Sequence, residues 1–286
     1  MPVEPPVSSP SSLVEAYAAM AEFPPARPIA GGTDLMVALT GELGQPPERI
    51  VDLWHLDALR GISADGEALT IGARTTYTEV RRSALCREHL PGLVEAAATI
   101  GATQIQNRGT LGGNIANASP AGDTLPVWLA MDATFSLGSI RGERTVRAAD
   151  FWIDYRRTAL QPDELLLRIR VPLANGQEMR YRKVGTRRAQ AISKVVIALA
   201  WREIPGVDGW TDVRVALGSV AATPIRARAT EVAMEGRWPI PETADLAAET
   251  LAAEIHPIDD VRSTAEYRRI VSARVLHRLI REAGGW

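Results

Sequence analysis

The stretch RGTLGGNIANASPAGD, residues 108–123, constrains the fold most, because it offers almost no large side chain to a core. Gly109, Gly112 and Gly113 allow a backbone to approach a flat or phosphorylated ligand closely, and the asparagines and the serine supply short hydrogen-bonding groups. Asp123, at the end of the stretch, is suited to accept two bonds from ribose hydroxyls. The alternative is a buried loop whose Asn and Ser side chains bond only the local backbone.

A second glycine pair lies in AGGTDL, residues 30–35, between a predicted strand and a predicted helix. The backbone N–H groups of Gly31 and Gly32 can converge there on an anion, and the helix dipole favours negative charge. A phosphate group fits this arrangement. The alternative is a tight turn between strand and helix, with Asp34 as the N-cap of the helix.

Composition limits the other functions. The 286 residues exceed the usual length of one domain, so two or three modules are expected. A net charge of −2 provides no basic field for nucleic acid. Cys86 is the only cysteine, and the four histidines show none of the usual zinc spacings. We therefore predict no disulfide, no metal site in this chain and no nucleic-acid partner.

Neither a membrane location nor a common nucleotide fold has support in the sequence. The N-terminus MPVEPPVSSPSS lacks the basic start and apolar stretch of a signal peptide, and the longest apolar run, VVIALAW at 195–201, is too short for a bilayer. We expect a cytoplasmic protein without membrane insertion. The chain contains no GxGxxG motif and no Gly-Lys-Ser/Thr, so a Rossmann or P-loop fold is not indicated.

Periodicity predicts an α+β protein. Hairpins are expected at Asp65-Gly66 and near Gly142, and short helices are expected between them. The Pro- and Gly-containing tract 172–177 is the best candidate linker. After it, three predicted strands precede helices that begin near Pro224, Pro241 and Ser263. This order favours an antiparallel sheet with helices on one face.

Several motifs in order resemble the FAD-binding medium subunit of the molybdenum hydroxylases, a family that includes xanthine dehydrogenases and carbon monoxide dehydrogenase flavoproteins. The resemblance rests on IAGGTDL, on NRGTLGGNIANASPAGDTLP, and on DFWIDYRRTALQPDELLLRIRVP at 150–172. RKVGTRRAQAISKV at 182–195, ALGSVAATPIRAR and DDVRSTAEYRRIVSARVL extend it over nearly the whole chain.

The resemblance implies a fold and a domain organisation. We expect an α+β FAD-binding domain of the vanillyl-alcohol-oxidase (PCMH-like) type made of two subdomains, residues 1–60 and 61–176. A C-terminal α+β domain, residues 177–286, would contain a three-stranded antiparallel sheet and helices.

The resemblance also assigns residues to the cofactor. Residues 29–36 would hold the FAD pyrophosphate by backbone amides, and residues 110–114 would wrap the flavin side. Asp123 would bond the adenosine part, Leu166 would line the adenine pocket, and Lys183 would lie near the ring system, where its cation favours a reduced anion. The implied FAD-binding residues are Ile29, Ala30, Gly31, Gly32, Thr33, Asp34, Leu35, Met36, Ile100, Thr110, Leu111, Gly112, Gly113, Asn114, Asp123, Leu166 and Lys183.

Two departures from the family pattern matter. Some members carry acidic residues after the paired arginines, whereas this chain has Ala189-Gln190-Ala191. The benzoyl-CoA reductase branch carries an extra iron–sulfur cluster on cysteines, which a chain with one cysteine cannot bind.

By resemblance, the chain is an electron-transfer subunit that performs no acid–base catalysis of its own. It would receive electrons from two [2Fe–2S] clusters of a small subunit and pass them to an external acceptor. A large subunit with a molybdenum–pterin cofactor would oxidise the substrate, and the complex is expected to be a dimer of heterotrimers. The alternatives are a stand-alone FAD-dependent oxidoreductase of the same fold and a scaffold that has lost flavin.

Overall fold

The structure is a computed structural model that describes residues 5–22, 26–40 and 46–286. Over these residues the predicted mixture of helices and strands is confirmed. Three larger sheets and one two-stranded ribbon follow one another along the described chain.

The first sheet is small and parallel, with the strand order β1-β3-β2. The predicted strand before the glycine pair is present in it as β2. The side chains of Ala16 and Met20 lie one helical turn apart on α1, so both face the same small core. The elements are β1 (Val7–Ser8), α1 (Leu13–Glu22), β2 (Arg27–Ile29), α2 (Leu35–Thr40) and β3 (Ile50–Asp52).

The second sheet is antiparallel, with the order β4-β5-β10-β6-β7, and it contains both predicted hairpins. At the first hairpin, Asp65 Oδ1 accepts from the N–H groups of Glu67 and Ala68 at 2.9 and 2.8 Å. The strands are β4 (Ile62–Ala64), β5 (Ala68–Gly72), β6 (Thr134–Ser139), β7 (Gly142–Arg147), the ribbon β8 (Trp152–Asp154) and β9 (Arg157–Thr158), and β10 (Leu165–Pro172). The helices are α3 (Tyr77–Arg82), α4 (Ala84–His89), α5 (Pro91–Thr99), α6 (Thr103–Arg108), α7 (Leu111–Asn117), α8 (Leu125–Ala130) and α9 (Ala148–Phe151).

The third sheet begins after the tract 172–177, and residues 177–286 are called the C-terminal part below. Its strands β11 (Gln177–Gly185), β12 (Ser193–Arg202) and β13 (Thr211–Gly218) are the three predicted ones, and the two-residue β14 (Ile225–Arg226) adds a fourth beside β13. Helices α10 (Arg228–Met234), α11 (Pro241–Glu254) and α12 (Ala265–Gly284) follow. The starts of α11 and α12 agree with the prediction, whereas α10 begins four residues after Pro224 because β14 first pairs with β13.

The C-terminal sheet is buried on both faces. Along β12, Val196 and Ala198 face the core of the preceding part, whereas Val195 and Ile197 face the core formed with the helices. This double burial explains the unbroken apolar run of the strand, since a strand with one wet face would alternate. Strand β11 packs so closely on helix α5 that a Cβ on Gly92 would lie 2.6 Å from the Met179 Cε. The two parts of the chain therefore share one continuous interface.

Candidate functional site

The first glycine-rich segment, residues 29–36, runs from the end of β2 into α2. Gly32 has a φ of +74°, a conformation that favours glycine. In the stretches that the structure describes, the backbone N–H groups of residues 31–34 have no acceptor. Helix α2 buries none of its residues, and Met36 is half-exposed. The segment thus presents unbonded donors on a lightly packed loop, as an anion-binding segment requires.

The second glycine-rich segment, residues 108–123, is bonded differently. Much of it is the short helix α7, capped by Thr110, whose Oγ1 accepts from the Gly113 N–H at 3.1 Å. The Gly112 N–H donates to the carbonyl of Ala73 at 2.7 Å, and a Cβ on Gly112 would lie 2.8 Å from that oxygen. Gly112 is therefore required for close packing of protein backbone, and its amide is already bonded.

The two segments lie side by side. A Cβ on Gly31 would lie 1.9 Å from the carbonyl oxygen of Arg108, so the chains touch backbone to backbone. Asn117 Nδ2 donates to Asp34 Oδ1 at 3.0 Å, and Arg156 Nη1 donates to Asn117 Oδ1 at 3.1 Å. The structure therefore brings together the two segments that the sequence placed some eighty residues apart.

Asp123 and Lys183 form a buried ion pair. Lys183 Nζ lies 2.6 Å from Asp123 Oδ2 and also donates to the carbonyl of Thr99 at 3.2 Å. Both side chains are at least nine-tenths buried. The two residues touch, so the implied roles of Asp123 at the adenosine part and of Lys183 near the ring system both converge on this ion pair. The carboxylate also offsets the lysine charge that would favour a reduced anion.

Lys183 bonds only one of the two carboxylate oxygens of Asp123. The other oxygen, Oδ1, is buried and bonds no group within the described residues. Burial raises the pKa of this carboxyl, and the adjacent Lys183 ammonium and the Ser193 hydroxyl oppose the rise. A buried acceptor without a donor is costly unless a ligand supplies one. This atom therefore fits a cofactor that offers a hydroxyl or N–H group.

Of the remaining predicted residues, Asn114 bonds the residue after Asp123, and Leu166 and Ile100 belong to the hydrophobic core or pack against it. Asn114 Oδ1 accepts from Thr124 Oγ1 at 2.5 Å, which ties the end of α7 to the residue after Asp123. Leu166 lies at a bulge in β10 and is buried in the same core that Ile100 packs against. Neither Leu166 nor Ile100 bonds through its side chain, so any contact with a cofactor would be apolar.

Tyr77 is a site residue that the sequence analysis did not select. Its buried ring packs on Gly109, where a Cβ would lie 2.7 Å from the Tyr77 Cε2. Burial raises the pKa of Tyr77, and the nearby charges of Asp34 and Asp123 add to the rise. The tyrosine hydroxyl thus lies within the field of both acids. The only sequence signal near it is the Thr76–Glu79 capping box, which predicts a helix start and no function.

A cavity of about 180 Å³ lies beside Lys183. Three arginines, Arg182, Arg187 and Arg188, line it together with Glu95 and Thr99. Burial raises the pKa of Glu95, and the cations of Arg182 and Arg180 oppose the rise. Cationic groups therefore predominate on this side of the ion pair.

Other candidate chemistry finds little support. Cys86 is fully buried, and burial raises the pKa of its thiol, which disfavours the reactive thiolate. Across the described ranges, no three His, Cys, Asp or Glu side chains are grouped as metal ligands. Among the same residues, no helix combines the length and apolar composition needed to cross a membrane.

Comparison with known proteins identifies two family models in the chain. Residues 3–174 match the FAD-binding domain in molybdopterin dehydrogenase, and residues 180–283 match the C-terminal domain of the carbon monoxide dehydrogenase flavoprotein.

Related proteins match over nearly their whole length. The carbon monoxide dehydrogenase medium chain of Hydrogenophaga pseudoflava is 31% identical over 96% of this chain and 95% of its own. The xanthine dehydrogenase FAD-binding subunit of Escherichia coli O157:H7 is 30% identical, with 96% of each chain covered.

Solved structures show the same fold. A structure of carbon monoxide dehydrogenase from Hydrogenophaga pseudoflava that lacks the Mo-pyranopterin moiety contains a chain with a TM-score of 0.91 and 32% identity, covering 97% of this chain and 96% of that one. Quinoline 2-oxidoreductase from Pseudomonas putida 86 gives a TM-score of 0.91 at 26% identity, covering 99% of this chain and 97% of that one.

Proposed function

The chain belongs to the family of FAD-binding medium subunits of molybdenum hydroxylases, and from that premise we propose that it is the electron-transfer subunit of such an enzyme. In this proposal it receives electrons from [2Fe–2S] clusters of a small subunit and passes them to an external acceptor. The observation that carries the proposal is that, among the described residues, the N–H groups of positions 31–34 have no acceptor, and the segment packed beside them ends in Asp123, whose buried Oδ1 has no donor.

The described residues fit FAD. The N–H groups of residues 31–34 would bind the pyrophosphate, and Asp123 Oδ1 would accept from a hydroxyl or N–H group of the cofactor. Bound FAD supplies the redox chemistry, taking up electrons singly and releasing them in pairs. Leu166 and Ile100 would exclude water, and Lys183 would hold the Asp123 side chain in place through its bond to Oδ2. No protein acid or base is required, so we assign no catalytic residue.

The partners follow from the kind of protein to which the chain is similar. Relatives named medium chain and FAD-binding subunit are single polypeptides of multi-subunit enzymes, and one matched structure is a Cu,Mo-CO dehydrogenase. We propose a small [2Fe–2S] subunit and a large molybdopterin subunit as partners, in a dimer of heterotrimers in the cytoplasm.

The domain boundaries are proposed at residues 60 and 176. The parallel sheet ends with β3 at Asp52, and the antiparallel sheet begins with β4 at Ile62. The second sheet ends with β10 at Pro172, and the third begins with β11 at Gln177.

The first test is the visible absorption spectrum of the purified full chain with everything that co-purifies, followed by acid release of the flavin. We expect releasable FAD, two further polypeptides and broad iron–sulfur absorbance. FAD without partner polypeptides would favour the stand-alone oxidoreductase. A protein from which no FAD is released, and which takes none up on titration, would contradict the proposal.

The second test is Asp123→Ala. Removing a buried acceptor should weaken FAD binding by about 1–3 kcal/mol, as measured by titration of the apoprotein. Equal affinity in the variant and the wild type would remove Asp123 from the site.

A further inference from the structure

The backbone carbonyls of the turn at residues 120–123 accept hydrogen bonds from the C-terminal part. The Ser219 N–H donates to the carbonyl of Pro120 at 2.9 Å. Ser193 Oγ donates to the carbonyl of Ala121 at 3.4 Å, and it lies 2.8 Å from Ser219 Oγ. Two donors, one at the start of β12 and one directly after β13, therefore bond adjacent residues of the turn.

Asp123, the last residue of this turn, is held at two further points. The Tyr181 hydroxyl donates to its backbone carbonyl at 3.1 Å, and Lys183 Nζ bonds its carboxylate at 2.6 Å. The carbonyl bond fixes the main chain, and the lysine bond fixes the side chain. Since Tyr181 and Lys183 are two apart on β11, both side chains leave the same face of the strand.

These donors are buried. The Tyr181 ring also packs in the core, and the Ser193 hydroxyl also acts on the Asp123 carboxyl, where it opposes the rise in pKa that burial causes. Tyr181 and Ser193 are 3% and 1% exposed. Ser219 has a φ of +67°, an uncommon backbone conformation for a serine. That conformation directs its N–H at the turn. In a buried setting each of these bonds holds its partner firmly, because water is not available to replace it.

We infer that Tyr181 and Ser193 are positioning residues for the cofactor. They hold the turn at 120–123 so that Asp123 Oδ1 stays in place for a cofactor donor. FAD retention then depends on side chains outside the matched FAD-binding domain, residues 3–174. The inference rests on the proposed function, because it concerns the geometry of the same site.

The position of the Asp123 carboxylate depends on two side-chain torsions and on the main chain that carries them. Oδ1 therefore stays in place only if the turn itself is fixed. Without the Tyr181 or Ser193 bond, the turn retains the Ser219 and Lys183 contacts but can tilt. The position of Oδ1 then varies, while the core packing around it is unchanged.

The test compares Tyr181→Phe and Ser193→Ala in the full chain, each as apoprotein titrated with FAD and followed by quenching of flavin fluorescence. Loss of one buried hydrogen bond should weaken FAD binding about 3- to 10-fold. The visible circular dichroism of the bound flavin should change as well, because the cofactor is held in a different position.

Two matched controls remove the same groups elsewhere. Tyr17→Phe removes a buried tyrosine hydroxyl, and Ser272→Ala removes a buried serine hydroxyl, and neither hydroxyl has a partner within the described residues. Both controls should leave FAD affinity unchanged. If they weaken FAD binding as much as Tyr181→Phe and Ser193→Ala do, a general effect of the buried hydroxyls overturns the inference.

A double-mutant cycle with Asp123→Ala separates positioning from general destabilisation. In that background, Tyr181→Phe should have no further effect on FAD affinity, because the group that it positions is gone. An equal loss in both backgrounds would overturn the inference, as would unchanged affinity in the single variants. A wild-type chain that binds no FAD would instead overturn the proposed function.

Discussion

The two glycine-rich segments are alike in composition, but their backbone N–H groups are bonded differently. In residues 29–36 the N–H groups of positions 31–34 have no acceptor among the described residues, and the following helix buries nothing. In residues 108–123 the N–H groups of Leu111, Gly112 and Gly113 all bond protein oxygens. The first segment thus has backbone donors that no described residue uses, whereas the amides of positions 111–113 in the second segment are already bonded within the protein.

The two segments require glycine for different structural reasons. Gly32 is needed for a backbone conformation, and a Cβ there would meet only side chains, Met36 Cγ at 3.2 Å and Ile29 Cδ1 at 3.4 Å. Gly112 is needed for space, because a Cβ there would meet the backbone of Ala73. Substitutions at the two positions should therefore change different properties of the protein.

The largest effect is expected for Gly112→Val. The added side chain must displace Ala73, an overpacking that costs about 1–3 kcal/mol and lowers Tm by roughly 2–10 °C, together with FAD occupancy. Thermal unfolding and flavin release measure both effects. Ala116→Val places the same β-branched side chain on an exposed position of the same helix and should leave Tm nearly unchanged. A stable Gly112→Val protein that lacks only FAD would show that this glycine serves the ligand after all.

An intermediate effect is expected for Gly32→Ala. An L-residue in a left-handed conformation costs about 1–2 kcal/mol, which corresponds to FAD binding roughly 5- to 30-fold weaker if the segment relaxes when empty. Tm should hardly change, because the segment has few buried contacts. The control is Gly66→Ala, which adds similar strain at φ +91° in a distant open turn. A fall in Tm with unchanged FAD affinity would mean that Gly32 serves packing and not the ligand.

The smallest effect is expected for Asn117→Ala, which removes the side-chain bridge from the second segment to Asp34 of the first. Its bonds to Asp34 and Arg156 are exposed. Exposed polar contacts contribute little, so FAD affinity should fall about twofold at most. Asn107→Ala, which removes one exposed bond to Thr78, provides the control. A tenfold loss specific to Asn117→Ala would mean that the bridge governs how the segments face each other.

Much of the fold could be predicted because its elements are local. The hairpin at Asp65 is stabilised by bonds to residues two and three positions away, and α1 is apparent from one helical repeat. Strand β10 could be recognised as a strand, but not its place between β5 and β6, which lie far from it in the chain. The two-residue strands β1 and β14 carry too few residues for any periodicity.

The candidate site could be predicted only in part, for the same reason. Motif order indicated both glycine-rich segments, Asp123 and Lys183. It did not indicate Tyr77, Ser193 or Ser219, whose contacts with the site come from separate elements. A single tyrosine or serine in a strand or helix has no pattern that distinguishes it from ordinary core.

Family membership, the order of most strands and helices, and the positions of the two glycine-rich segments can be read from the sequence, because these depend on neighbouring residues and motif order. The packing of the sheets sets which segment has amides that no described residue bonds and which glycine is required for packing. It also decided that Asp123 meets Lys183, 60 residues away in the chain. Hydrogen bonds and close contacts between distant residues depend on how the sheets pack, and that packing leaves no local trace in the sequence.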